Sequence, residues 1–113
     1  MENPNWMEEF PGAVTVTDAA GVILYMNLKS ALSFEQEGGR ALVGRNIFDC
    51  HRPESQEKIR RILETGEPNI YTIEKQGQKK LIYQTVWTEN GEVRGLVELS
   101  LEIPRQLPHF IRD

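Results

Sequence analysis

From Gly66 onward the apolar residues of this chain stop recurring every three or four positions and begin to alternate, and that change of period constrains the fold more than any other feature. Before it, Ile59, Ile62 and Leu63 stand at i, i+3 and i+4 behind Pro53, which suits the first position of a helix, and Gly66 with Pro68 closes the segment. After it, apolar and aromatic residues concentrate in Ile70 to Ile73, Leu81 to Thr88 and Val93 to Ile103, which predicts strands. Gly77 separates the first of these from the second, and Asn90-Gly91 between the second and third is the strongest hairpin signal in the chain. Antiparallel neighbours follow.

The first half is organised differently. Ala13 to Thr17 and Val22 to Met26 are rich in β-branched and apolar residues on either side of Asp18-Ala19-Ala20-Gly21, which has turn chemistry, so they predict a further hairpin. Between Leu28 and Gly44 the apolar points Ala31, Leu32, Phe34, Ala41, Leu42 and Val43 are broken around Gly38-Gly39, and short helical turns fit better than one long helix. Two strands, a helical middle and three strands give an α+β fold built on one antiparallel sheet. At 113 residues the chain is expected to form a single domain over 13–103, with an N-terminal cap segment over 1–12 and a C-terminal tail over 104–113.

Composition narrows the function classes. Thirteen Lys and Arg stand against 17 Asp and Glu for a net charge of -4, and no basic run exceeds the pairs Arg60-Arg61 and Lys79-Lys80, which argues against nucleic-acid binding. With one cysteine there is no intramolecular disulfide and no thiolate zinc site, so a reducing cytoplasmic location and no metal are expected. The start MENPNWMEEF lacks an apolar core, and no window approaches membrane-spanning length, so neither a signal peptide nor a membrane partner is expected.

The stretches FPGAVTVTDAAGVILYMN, ALVGRNIFDCHRPESQEKIRRIL and TENGEVRGLVELSLEI, in that order, resemble the PAS sensor family from about Phe10 to Ile103. The DCH stretch followed by Pro53 and Ser55 looks most like the PAS modules at the ends of uncharacterised bacterial and archaeal proteins. The resemblance implies a five-stranded antiparallel sheet in the order 2-1-5-4-3, with helices over one face around a small cavity. It also implies small-molecule binding in that cavity, dimerisation and signal transduction to an effector, transcriptional regulation included.

Alternation places Leu81, Tyr83, Thr85 and Trp87 on one face of the fourth strand, and Gly95, Val97, Leu99 and Leu101 on one face of the fifth. These sets are apolar with a few polar handles, which assigns them to the cavity. The residues expected to meet a small molecule or cofactor are therefore Asn27, Phe48, His51, Tyr83, Thr85, Val97 and Leu99. The opposite face would carry Ile82, Val86 and Leu96, apolar enough to need a cover. Trp6, Met7 and Phe10 have helix-like spacing, and an N-terminal helix over that face is expected to form a homodimer.

Residues Gly44 to His51 bring the only cysteine next to one of two histidines. A nucleophilic pair needs the imidazole to reach the thiol, whereas sequence neighbours diverge unless a turn joins them, so an enzyme is not expected. Haem is disfavoured because His51 precedes Pro53, whereas the haem ligand in some PAS domains belongs to the long helix itself. Flavin-adduct chemistry is disfavoured because Ile47 follows Gly44-Arg45-Asn46, where light-sensing PAS domains carry the reactive cysteine, and Cys50 comes three residues later. His51 is expected to hold the turn before the helix and to face the cavity. The ligand itself stays unidentified. At the C-terminal end, Pro104 and Pro108 interrupt any signalling helix, so output is expected through dimerisation or a separate effector protein. The rival is a ligand-free interaction module whose own side chains fill the cavity.

Overall fold

In the computed structural model, which describes residues 3–49 and 51–113, the strands β1 (Ala13–Thr17) and β2 (Ile23–Met26) form the first hairpin. The Asp18 carboxylate closes it by accepting from the backbone N–H groups of Ala20 and Val22, both at 2.9 Å. The register shifts between Val16 and Thr17, which leaves Leu24 without a partner and exposed. Helix α1 (Leu28–Ser33) follows, then short 3-10 turns over Glu35–Glu37, Gly39–Leu42 and Ile47–Asp49. The long helix α2 (Pro53–Thr65) begins at Pro53 and ends where left-handed Gly66 returns its N–H to the Ile62 carbonyl at 2.8 Å.

Strands β3 (Asn69–Lys75), β4 (Gln78–Glu89) and β5 (Glu92–Ile103) complete a five-stranded antiparallel sheet in the order β2-β1-β5-β4-β3. Both tight turns of this meander, Gln76-Gly77 and Asn90-Gly91, place two successive residues at positive φ, as a two-residue hairpin loop demands. The Asn-Gly pair announces that geometry, whereas Gln76 at φ 53° takes it without a sequence cue. The fold class, the strand order and the long helix agree with the sequence-based expectation.

The helical layer covers one face of the sheet only. Ile59 and Ile62 of α2 are buried against Ile23, Met26, Ile47 and Leu96, with Leu42, Phe48, Leu63 and Val86 packed around them. Burying each large aliphatic side chain contributes about 1.5–3 kcal/mol, so this cluster fixes which sheet face is covered. Ile82, Val86 and Leu96 consequently face inward, and the expectation that they form an outer dimer face is corrected: they belong to the covered side.

The N-terminal segment is a turn over Trp6 to Glu9 and not the expected helix. Phe10 lies beside Gly12 and Leu101, and Trp6 meets it edge-on with ring centroids 5.6 Å apart. The Tyr25 hydroxyl donates to the Glu8 carboxylate at 2.6 Å, and Arg40 pairs with the same carboxylate. Burial, then the bond to Glu8, raises the Tyr25 pKa from 10.0 to about 12. The bond from Tyr25, followed by that from Arg40, lowers the Glu8 pKa from 4.5. The tether therefore contributes fully below pH 10.0 and is lost as pH rises through about 12. On the acid side it is present above 4.5 and is lost as pH falls through the depressed Glu8 pKa. Tyrosinate absorbance is expected to show a late-titrating tyrosine near pH 12 that disappears in Tyr25→Phe; a wild-type titration unchanged by that substitution would contradict the tether.

Candidate functional site

Between the covered sheet face and the helical layer lies a cavity of about 350 Å³, within the range of small-molecule sites. Its walls are apolar: Ile23, Met26, Phe34, Leu42, Ile47, Ile59 and Leu96. Its floor is not. Asn69, Gln84, Glu98 and Thr15 are direct register partners across β3, β4, β5 and β1, so a polar row runs straight over the sheet beneath the cavity. Asn69 Nδ2 donates to Gln84 Oε1 at 2.9 Å, and Gln84 Nε2 donates to Glu98 Oε2 at 2.6 Å. The Gln84 amide is thereby held in one orientation from both sides. Thr15 and Ser30 share a hydroxyl contact of 2.6 Å, while Thr17 Oγ1 is committed to the Asp18 carbonyl and the Leu96 N–H.

A polar side chamber of about 260 Å³, lined by Ser55, Lys58, Asn69 and Tyr71, adjoins the cavity. His51, Ile59, Gln84 and Glu98 line both spaces. Burial, followed by the charge of Glu98, raises the Tyr71 pKa, so this phenol keeps its proton.

A family model described as PAS fold matches residues 7–106. The chain belongs to the PAS family. Among solved structures, the domain is similar to the C-terminal domain of a Streptococcus mutans protein, with 17% identity over 85% of this chain and 78% of that one and a TM-score of 0.69. It is also similar to the Aer2 receptor of Vibrio cholerae, described as a dual PAS-heme oxygen sensor, with 20% identity over 82% and 95% of the two chains and a TM-score of 0.64. A third likeness is to the Vibrio cholera VqmA–ligand–DNA complex, with 17% identity over 86% of this chain and a TM-score of 0.67, where this chain spans about half of the VqmA chain, 48%. No curated protein sequence matches significantly. Likeness at these identities is likeness of fold.

Within the PAS domain the residues expected at the site separate. His51 lines the cavity, with Nδ1 2.6 Å from the Ile47 carbonyl, which can only accept. In the neutral ring that leaves Nε2 as an acceptor. Gln56 Nε2 holds the same turn by donating to the Phe48 and His51 carbonyls, each at 2.8 Å. Phe48 does not line the cavity; its ring packs beside Gly21 and under the Arg60 guanidinium, 5.0 Å from the centroid. Asn27 is fully buried and spent on backbone: Oδ1 accepts from Val14 and Ser30, and Nδ2 donates to Met7 and Gly12. It caps α1 and fastens the N-terminal segment.

Tyr83, Thr85, Val97 and Leu99 are corrected most sharply. Tyr83 pairs with Leu99 and Thr85 with Val97 on the face away from the cavity, one position out of step with Gln84–Glu98 and Val86–Leu96. Alternation sorted these residues into the right sets, but counting apolar side chains chose the wrong set to point inward. Gln84 and Glu98, which line the cavity, carried a signal of their own: polar residues interrupting apolar strands at positions paired across the Asn90-Gly91 hairpin.

Cys50 lies outside the described residues. Among the described ones, no group of three or more His, Cys, Asp or Glu is placed to hold a metal, and no helix is long and apolar enough to cross a membrane. Glu37 and Glu98 line the cavity and no Lys or Arg does so among the described residues, so this lining supplies no cationic partner for haem propionates.

Proposed function

We propose that this PAS domain senses a small organic molecule in its cavity and acts in cytoplasmic signal transduction, transcriptional control included, through contacts with a second copy or an effector protein. The observation that carries the reading is the polar row Asn69–Gln84–Glu98–Thr15 beneath apolar walls. A domain that merely filled its own core would gain little by setting two locked polar side chains into a cavity floor. Ligand recognition is assigned to Gln84, Glu98 and His51, with the apolar body of the molecule against Met26, Ile59 and Leu96.

Strand periodicity supplies a route outward. The neighbours of Gln84 and Glu98 along the chain, Tyr83, Val97 and Leu99, stand on the other sheet face, so movement of β4 or β5 against a ligand repositions an apolar outer surface. That surface, next to Phe10 and half-exposed Trp6, is where a second copy would respond.

Native mass spectrometry and an absorbance spectrum of protein purified from its own host test the reading. A companion mass on the wild-type chain, lost in Gln84→Leu and kept in Tyr83→Phe, is the expected result. A bare mass in every preparation favours the ligand-free interaction module, and loss of the companion in Tyr83→Phe alone would return the site to the other sheet face.

A further inference from the structure

Acidic and basic side chains divide unevenly between the main cavity and the chamber beside it. Glu37 and Glu98 line it, and no Lys or Arg does so among the described residues. Neither carboxylate belongs to an ion pair among the described residues, whose pairs involve Glu8, Glu57, Glu67, Glu74, Glu89, Glu92 and Glu102. Lys58 lines the side chamber beside Glu98 yet makes no ion pair with it. Among the described residues Glu98 receives one side-chain hydrogen bond, from Gln84 to Oε2, while a carboxylate has room for about four.

Two further acceptors line the main cavity. His51 Nε2 is left as an acceptor in the neutral ring, and Gln84 Oε1 keeps a lone pair beyond the one that Asn69 uses. On the donor side Gln84 keeps one amide hydrogen, and the adjoining chamber adds Ser55, Lys58 and the protonated Tyr71. An anion would meet like charge on entering such a site, and a neutral molecule would leave the Glu98 carboxylate half-served. Resting on the small-molecule reading above, we infer that the site selects a small organic cation, a protonated amine or amidine whose N–H groups bind Glu98 while its apolar body lies against Met26, Ile59 and Leu96. Charge-assisted bonds of this type are about twice as strong as neutral ones, which gives the charge preference its size.

Benzylamine, benzyl alcohol and benzoate share a ring and differ in charge, so they separate the charge effect from cavity filling. Amide shifts of the full chain, titrated with each at pH 7, are expected to give at least about tenfold tighter binding for benzylamine than for benzyl alcohol, with benzoate weakest. Glu98→Gln, which keeps an acceptor for Gln84, is expected to erase the preference, bringing benzylamine and benzyl alcohol to within about twofold of each other in that variant. The comparison of the three compounds on the unaltered chain stands even if that variant does not fold. Equal affinity for benzylamine and benzyl alcohol would overturn the cation preference and leave the sensing reading intact. No cavity shift with any of the three, together with a bare native mass from the host, would overturn both.

Discussion

Asn27→Ala is expected to lower the stability of the domain by about 3–5 kcal/mol, a large share of the 5–15 kcal/mol typical of a single domain. The side chain is fully buried, and its removal strips partners from the Val14 and Ser30 N–H groups and from the Met7 and Gly12 carbonyls together. Each buried backbone group left unsatisfied costs about 1–3 kcal/mol, partly relieved where water enters, and the lost helix cap alone is worth about 1 kcal/mol. Urea unfolding followed by circular dichroism measures the total. Asn27→Asp keeps the acceptor for the cap but turns a second oxygen toward the Met7 and Gly12 carbonyls, so it should recover little. Recovery of most of the loss by aspartate would place the energy in the α1 cap and not in the N-terminal tether.

Gly95→Ala is expected to be nearly as damaging, about 2–4 kcal/mol, through overpacking and the hydrogen bonds it disturbs. A Cβ at this position would lie 1.9 Å from the Thr17 carbonyl oxygen and 2.7 Å from its carbon, backbone atoms that no rotamer change can move aside. The end of β1 would have to lift from β5. That displacement strains the Trp87 indole N–H bond to the Thr17 carbonyl, 2.8 Å, and the Leu96 N–H bond to the Thr17 hydroxyl, 3.3 Å. Thermal unfolding reports the loss, and the indole proton shift of Trp87 localises it. A variant of wild-type stability with an unmoved indole resonance would show that β1 does not approach β5 so closely.

These two positions mark what the sequence made legible and what it hid. The sheet order, the Asn90-Gly91 hairpin and the helix from Pro53 to Gly66 were readable because each depends on local chemistry: a turn that needs positive φ, a proline at a helix start, a period that changes. The resemblance to PAS sensors joined them into a topology. The direction each strand face points was not readable, because in this chain both faces of β4 and β5 carry apolar residues. The outer set of Tyr83, Val97, Leu99 and Leu101 is the more apolar, since the inner set must supply Gln84 and Glu98 to a cavity floor. Counting hydrophobic side chains therefore selects the outer face, and it fails beneath a cavity whose floor is polar. Asn27 misled differently. A polar residue just after an apolar strand reads as a ligand contact, yet backbone groups consume it.

His51 spends Nδ1 on the Ile47 carbonyl, which fixes the tautomer of the neutral ring, and the residue lines the cavity. What makes His51 informative is that it lines the cavity just before the start of α2.

The inward placement of the polar row is tested most directly by intermolecular nuclear Overhauser effects between the co-purified small molecule and assigned side chains. Cross-peaks to Met26, Ile59, Leu96 and Gln84 are expected, with none to Tyr83, Val97 or Leu99. Cross-peaks confined to Tyr83, Val97 and Leu99 would contradict the inward site and place recognition on the opposite face of the sheet.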